Sequence, residues 1–265
     1  MKNKKIAIIG CGNLGLSILN GLLADRTITP ANIIVTKRNT DALEHLKKTG
    51  VRISDDNIEA VKTSELIIVA LKPYNVLEVL KEVQPYFVPG KHILVSLATG
   101  ISLSEIQHIV NVSVPVFRAM PNTAADVGMS MTCISTNSTD KPATGLVKQC
   151  FNAIGSSILI DEELMDSATV LGACGIAYAL RFIRGMIQGG IQIGFDAKTA
   201  SDIVTQTVKG AAELLIERKE HPEFEIDKVT TPKGCTIAGL NEMEHNGFSS
   251  ALIKGIVTSF EKIEK

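Results

Sequence analysis

Residues 5–15 read KIAIIGCGNLG. The run from Lys5 to Ile9 is apolar and β-branched with almost no polar face, which is typical of a strand buried on both sides of a parallel sheet. The GxGxxG pattern that follows stands where such a strand turns into a helix. Its first glycine permits the tight turn, its second lets the backbone approach a pyrophosphate, and its third lets helix and strand pack closely.

This motif predicts a dinucleotide-binding loop with the helix N-terminus facing the phosphates. The loop residues are Gly10, Cys11, Gly12, Asn13, Leu14 and Gly15. A Gly-rich turn without a ligand is the alternative interpretation. We expect no other phosphate loop, because no P-loop motif occurs.

The end of the second predicted strand decides which dinucleotide is expected. About 20 residues after the glycine motif, an NAD-binding protein usually carries Asp or Glu, which accepts hydrogen bonds from the ribose 2′-hydroxyl. Here the sequence reads Thr36-Lys37-Arg38-Asn39. Two cations without a carboxylate favour a 2′-phosphate, so we predict NADP(H) rather than NAD(H), with NAD(H) left open as a second cofactor. The alternative is that Lys37 and Arg38 are ordinary loop cations.

Strand and helix patterns alternate as far as Asp161. The predicted strands are Lys5–Ile9, Ile33–Thr36, Val51–Ile53, Leu66–Leu71, Ile93–Leu97 and Val114–Ala119, and two extended runs, Gly128–Ser135 and Ser157–Ile160, extend the sheet at one edge. The predicted helical segments after the first are Thr40–Lys48, Ile58–Thr63, Tyr74–Val83, Leu103–Val110 and Lys141–Ala153. This order predicts an α/β fold with an N-terminal doubly wound (Rossmann) parallel sheet.

After Asp161 only helical patterns remain, so we predict a sheet domain at 1–161 and an all-α domain at 162–265. Apolar residues follow the helical period from Ala200 to Leu215, and Asp196 is a predicted N-cap. The segment from Ser167 to Ile193 is apolar on most sides, which predicts a helix packed by neighbours all round. Since so little of this domain is polar, we expect a second subunit to complete it. A self-sufficient small bundle is the alternative.

Composition excludes several classes of protein. The 265 residues are 45% hydrophobic and 21% charged, values typical of globular proteins and not of disordered or collagen-like chains. With 27 basic and 28 acidic residues the net charge is -1, so we expect no nucleic-acid partner. The uncharged run 6–24 imitates a membrane span, but its glycines and its strand-then-helix pattern argue against one. The 5 cysteines form no CxxC pair and the 5 histidines have no metal-like spacing, which predicts a cytoplasmic protein without a metal.

The search for catalytic motifs narrows the substrate. HExxH and GxSxG are both absent, and hydride transfer needs mainly that the nicotinamide and an electrophilic carbon be held face to face. An iminium is already protonated and electrophilic, so an imine suits this chain better than a ketone. Met120-Pro121-Asn122, in the run Arg118–Thr123, is a candidate nicotinamide or substrate site. The turn Val229–Thr236 has free backbone N–H groups and the Thr236 hydroxyl for a carboxylate. The alternative interpretation of Arg118–Thr123 is a mere turn, and that of Val229–Thr236 is a simple helix cap.

These residues resemble the pyrroline-5-carboxylate reductase family over nearly the whole chain. The motifs that carry the resemblance are Gly10–Gly15, Thr36–Arg38, Asp56-Asn57, Ala70–Pro73, Ser96–Ile101, Arg118–Thr123, Glu220–Pro222 and Val229–Thr236. The resemblance implies NAD(P)H-dependent reduction of L-1-pyrroline-5-carboxylate to L-proline, the last step of proline synthesis.

The resemblance also implies roles for individual residues. Asn57 contacts the adenosine half of the cofactor, and Ala70, Leu71, Lys72, Pro73 and Ala98 line its path. The substrate carboxylate is held by Lys233, Gly234, Cys235 and Thr236 from the partner subunit's helical domain, and Thr236 is the candidate proton or hydrogen-bond donor to the ring nitrogen. Family members form dimers through swapped helical domains, often assembled into decamers.

Two segments depart from the family pattern. Where the family usually reads Ser-Gly-Ser-Gly-Pro-Ala-Tyr, residues 172–178 read GACGIAY. Where the substrate turn usually reads Ser-Pro-Gly-Gly, residues 231–234 read TPKG, so that Lys233 either faces the carboxylate or points outward. These departures leave open a reductase of another cyclic imine acid, or a non-catalytic NADP-binding protein of the same fold. A β-hydroxyacid substrate is disfavoured, because its conversion would need a catalytic lysine on the first long helix after the sheet. No lysine lies between Lys148 and Lys198.

Overall fold

The computed structural model describes residues 3–26 and 28–263. Within them, an 8-stranded sheet has the order β3-β2-β1-β4-β5-β6-β7-β8. The strands are β1 Ile6–Ile9, β2 Ile33–Thr36, β3 Arg52–Ser54, β4 Leu66–Val69, β5 Ile93–Ser96, β6 Val116–Met120, β7 Ser130–Thr136 and β8 Gly155–Leu159.

Helices connect these strands and make up the rest of the chain. The α-helices are α1 Asn13–Asp25, α2 Asn57–Thr63, α3 Pro73–Val83, α4 Leu103–Val110, α5 Lys141–Asn152, α6 Met165–Ala168, α7 Gly175–Gln192, α8 Ala197–Arg218, α9 Pro222–Lys228, α10 Cys235–His245 and α11 Phe248–Ile263. The 3-10 helices are Pro30–Asn32, Asp41–Thr49, Gln84–Tyr86, Thr123–Val127 and Glu162–Leu164, and Thr169–Cys174 is a π-helix.

The middle of the sheet is apolar on both faces. Every residue of β1 and β4 is buried. Because successive strand side chains point to opposite faces, Ile8 packs in the apolar layer on one face and Ile9 in the layer on the other. The parallel pairing of β1 with β2 and β4 brings three carboxyl ends to one edge, which is where open α/β sheets bind ligands. The predicted fold class is confirmed.

Two local predictions need correction. The sheet is not parallel throughout, because β7 runs antiparallel to β6, after which β8 pairs parallel with β7. The segment predicted as a helix at Thr40–Lys48 is a 3-10 helix, Asp41–Thr49. Its buried side chains are Leu43 and Leu46, and a helix of 3.0 residues per turn places positions three apart on one face.

The chain divides into two compact units, one reaching to Ile176 and including residues from Phe260 on, the other spanning Ala177–Ser259. In the second unit, the Asp196 carboxylate accepts hydrogen bonds from Lys198 N and Thr199 N at the start of α8, as an N-cap does. The predicted apolar helix is present as α7. It is not packed on all sides in the part of the chain that the structure describes, since none of its residues is buried.

One helical run within the described residues, Glu162–Gln192, is long and apolar enough to cross a membrane by length and composition alone. Only 6% of the apolar window is buried. An apolar helix that a partner chain covers gives the same pattern, so this single run is weak evidence for a membrane span.

Candidate active site

The glycine loop joins β1 to α1 and is fixed by the end of β2. Gly10 N and Cys11 N donate to Thr36 O at 3.2 and 2.8 Å, and Gly12 N donates back to Gly10 O at 2.8 Å. Gly10 has a φ of 91°, a conformation that residues with a Cβ rarely adopt. The turn is therefore held by hydrogen bonds on both sides.

The three motif glycines have different surroundings. A Cβ on Gly10 would lie 2.9 Å from Ala70 O, and one on Gly15 would lie 2.7 Å from Gly10 O. A Cβ on Gly12, by contrast, would meet nothing within 4 Å. Packing of the chain itself thus requires Gly10 and Gly15, whereas the space beside Gly12 is open to a ligand. This arrangement fits a pyrophosphate approaching the loop backbone.

The N-terminus of α1 begins at this open space. No side chain caps it, and its first turn carries no acidic residue. Free N–H groups and the positive end of the helix dipole favour an anion at such a position. A dinucleotide phosphate would meet no opposing charge from this turn.

The end of β2 lies directly beside the loop. The Thr36 hydroxyl donates to Asn57 Oδ1 at 2.7 Å, where Asn57 is the first residue of α2. Lys37 is half-buried and Arg38 is exposed, and neither joins an ion pair within residues 3–26 and 28–263. Burial raises the pKa of the Cys11 thiol to about 11, with the charge of Lys37 opposing the rise.

The remaining predicted cofactor residues lie along the same sheet edge. Ala70 N donates to Ile9 O at 2.8 Å, and Leu97 N donates to Val69 O at 3.0 Å, which places the segment 70–73 and Ala98 after neighbouring strands. Lys72 is exposed and precedes Pro73 at the start of α3. All the residues predicted to bind the cofactor are thus brought to one edge of the sheet.

The predicted substrate residues of the first unit are buried. Met120, Pro121 and Asn122 lie at the end of β6. Asn122 Oδ1 accepts from Ala124 N at 3.1 Å, and its Nδ2 donates to Gly172 O at 3.2 Å. The Asn122 side chain therefore joins the sheet edge to the π-helix in which the family pattern is altered. π-Helical turns are frequent at functional sites.

A buried arginine that sequence reasoning did not single out lies two residues before this segment. Arg118 Nη1 donates to Glu162 Oε1 at 3.1 Å, and Asp166 Oδ1 lies 3.9 Å from its Nη2. Glu162 Oε1 also accepts from Leu103 N at 2.6 Å. A buried charge needs partners. The one signal in the sequence for this ion pair was therefore a charged residue inside a predicted strand, and that signal did not identify Glu162 or Asp166 as the partners.

The turn before α10, in the second unit, holds the predicted carboxylate site. Lys233 has a φ of 60°, and Gly234 N donates to Thr231 O at 2.9 Å. No side chain caps the N-terminus of α10, where Cys235 is exposed. Thr236 is half-buried, and its hydroxyl has no hydrogen bond in the part of the chain that the structure describes. Both the N–H groups and this hydroxyl are available to a ligand.

Two family models match the chain. The pyrroline-5-carboxylate reductase dimerisation model matches residues 162–265, and the coenzyme F420-dependent NADP oxidoreductase model matches residues 5–100. Together they follow the predicted order of a nucleotide-binding segment and a helical, self-associating segment.

Named relatives agree over most of the chain. Pyrroline-5-carboxylate reductase 2 of Dictyostelium discoideum is 43% identical over 99% of this chain and 93% of its own length. Pyrroline-5-carboxylate reductase 1 of the same organism is 45% identical over 97% of this chain, which spans 49% of that longer protein. The crystal structure of the Plasmodium falciparum pyrroline carboxylate reductase with NADP bound superimposes with a TM-score of 0.89 at 26% identity, covering 99% of this chain and 98% of that one. The chain therefore belongs to the pyrroline-5-carboxylate reductase family.

Proposed function

We propose that this protein reduces L-1-pyrroline-5-carboxylate to L-proline with NADPH as the hydride donor. The observation that carries the proposal is the glycine loop, in which Gly10 and Gly15 are required by packing while Gly12 faces open space next to an uncapped helix. Membership of the family supplies the reaction. A non-catalytic relative would keep the loop but form no proline.

The residues of the cofactor end of the site are assigned by their charge and their place at the sheet edge. Residues 10–15 bind the pyrophosphate, Asn57 and the cations Lys37 and Arg38 bind the adenosine ribose and its 2′-phosphate, and the segment 70–73 with Ala98 lines the path to the nicotinamide. The cations select NADPH over NADH because only NADPH carries the extra phosphate. When bound, the cofactor supplies the hydride.

The substrate end of the site is assigned to the turn before α10. The reaction adds a hydride to the imine carbon, and the ring nitrogen carries one proton, either already present in the iminium or given by a donor beside it, so that the product is the amine of proline. We assign the turn at Lys233, Gly234 and Cys235 to the substrate carboxylate, with the backbone N–H groups of Lys233 and Cys235 as donors because that of Gly234 already donates to Thr231 O. We assign the Thr236 hydroxyl to the ring nitrogen. Met120, Pro121 and Asn122 of the first unit are also assigned to the substrate, with the Asn122 side chain acting through its bond to Gly172.

The assembly we propose is a dimer through the helical domain, with the decamer as its higher form. The functional division is 1–161 for the cofactor and 162–265 for dimerisation and substrate. Exposed apolar side chains on α7, such as Leu180 and Phe182, support a second copy of the chain as the covering surface. With this face covered, α7 needs no membrane, and we propose a cytoplasmic location.

The test is loss of NADPH absorbance when purified protein is mixed with pyrroline-5-carboxylate, with proline identified as the product. NADH and a six-membered imine acid are run in parallel. Proline formation with NADPH preferred is the expected result. Tight NADPH binding without turnover of either imine would refute catalysis and support the non-catalytic alternative, and turnover of the six-membered imine alone would reassign the substrate.

A further inference from the structure

A hydroxyl and an amide form a partly buried contact at the end of β2. Thr36 is only 2% exposed, and its Oγ1 lies 2.7 Å from Oδ1 of Asn57. Asn57 begins α2, which is fixed in place because the Asp56 carboxylate accepts from Ile58 N and Glu59 N. Both partners therefore sit on anchored backbone.

The structure places the carbonyl oxygen of the Asn57 amide, Oδ1, against the Thr36 hydroxyl. A threonine hydroxyl has one proton and two lone pairs. Gly10 N approaches the same Oγ1 at 3.4 Å and can only donate. The hydroxyl donates its proton to Asn57 Oδ1, which accepts only, and the amide Nδ2 remains a donor with no partner in the residues that the structure describes.

The strand register places this donor beside the glycine loop. Ile9 pairs with Thr36, and Thr36 pairs with Ser54, so the ends of β1, β2 and β3 meet at one edge. In sheets of this class the end of β2 meets the adenosine ribose, and a carboxylate there accepts from the 2′-hydroxyl. This chain offers a hydrogen-bond donor there instead of an acceptor, namely the Asn57 amide, next to the half-buried Lys37.

We propose that Thr36 is a positioning residue for cofactor choice, holding the Asn57 amide so that Nδ2 faces the cofactor 2′-phosphate. The inference rests on the proposed function in taking NADPH as the cofactor. A donor and a cation together bind a phosphate group more strongly than they bind a hydroxyl group. Selection is therefore shared between the cations and an amide whose orientation β2 sets.

Thr36→Val is the sharpest test, because valine keeps the β-branched shape and removes only the hydroxyl. Gly10 N keeps its hydrogen bond to Thr36 O at 3.2 Å, so the loop loses no backbone partner. Thr36→Ser keeps the hydroxyl and serves as the matched control. Asn57→Ala removes the amide, with and without Thr36→Val.

Dissociation constants for NADPH and NADH are measured by titration calorimetry for each variant. Losing one oriented, charge-assisted hydrogen bond corresponds to roughly a tenfold change. We expect Thr36→Val to weaken NADPH about tenfold and NADH by less than about twofold, with Thr36→Ser close to the unchanged chain. In the Asn57→Ala background, Thr36→Val should cause no further loss.

Each other outcome contradicts the inference. An equal loss of NADPH and NADH, or the same loss in the Asn57→Ala background, would mean that Thr36 supports the loop and does not orient the amide. A lower melting temperature for Thr36→Val with unchanged NADPH preference would assign it to stability alone. If the unchanged chain bound neither cofactor, the proposed function itself would fail, which is a distinct result.

Discussion

Substituting Gly12 by alanine should separate cofactor binding from folding. Gly12 has φ -85° and ψ -159°, which alanine adopts, and its Cβ would meet nothing within 4 Å. We therefore expect the free energy of unfolding to change by no more than about 0.5 kcal/mol, apart from a gain of up to ~1 kcal/mol from a less flexible unfolded chain.

The same methyl group should exclude the pyrophosphate. Hydrogen bonds from N–H groups to a charged ligand contribute about 1.5–3 kcal/mol each. Losing two of them costs roughly 3–6 kcal/mol, which at 1.4 kcal/mol per factor of ten weakens NADPH by about 100-fold or more. The assays are NADPH titration by fluorescence or calorimetry, and thermal unfolding without cofactor.

Two other glycines provide the controls. Gly15→Ala places a Cβ 2.7 Å from Gly10 O, so it should lower stability by about 1–3 kcal/mol as well as weaken binding. Gly145→Ala lies in α5 with open space around it, so it should raise stability by about 0.5–1 kcal/mol and leave binding unchanged. If Gly12→Ala bound NADPH normally, the loop would not be the pyrophosphate site, and the reasoning from its open space would be wrong.

Three further predictions concern charge, catalysis and backbone strain. Replacing Lys37 and Arg38 together by Ala should weaken NADPH at least tenfold more than NADH, and equal Kd changes would make the pair a solvated loop. Thr236→Ala should lower kcat for the imine about 100-fold, within the range for a lost proton donor, with NADPH affinity unchanged; equal losses in both would reject its role. Lys233→Gly should raise the free energy of unfolding by about 0.5–1 kcal/mol, because it removes a left-handed penalty of ~1–2 kcal/mol and adds ~0.5–1 kcal/mol of glycine entropy. Urea denaturation measures this, and a loss of stability would mean that the Lys233 side chain makes stabilising contacts.

Local sequence signals predicted the features that depend on neighbouring residues. The alternation of strands and helices and the glycine motif gave the α/β class and the family, and both predictions are confirmed. The Asp196 N-cap was also predictable, because its carboxylate bonds to N–H groups only two and three residues away. The site assignments of residues such as Thr236 stay predictions.

Features that depend on distant residues could not be predicted. The direction of β7 is not encoded in its alternation, since antiparallel and parallel strands share the same two-residue period. The Arg118–Glu162 pair joins residues 44 positions apart, and the Asn122–Gly172 bond joins residues 50 apart. In the sequence, the backbone strain at Lys233 was visible only as the loss of a glycine that the family usually has there. The φ of 60° at Lys233 explains why glycine is usual at this position.

The uncovered face of α7 makes the concentration of the protein a thermodynamic variable. Leu180, Phe182 and Ile191 are 58%, 41% and 42% exposed in one chain, so association through the dimerisation segment removes apolar surface that folding alone leaves in water. By mass action, a fold whose core is completed by its partner melts at a temperature that rises with concentration. For the proposed dimer, dilution is therefore expected to act as a denaturant does, and its stability is described by a dissociation constant coupled to unfolding.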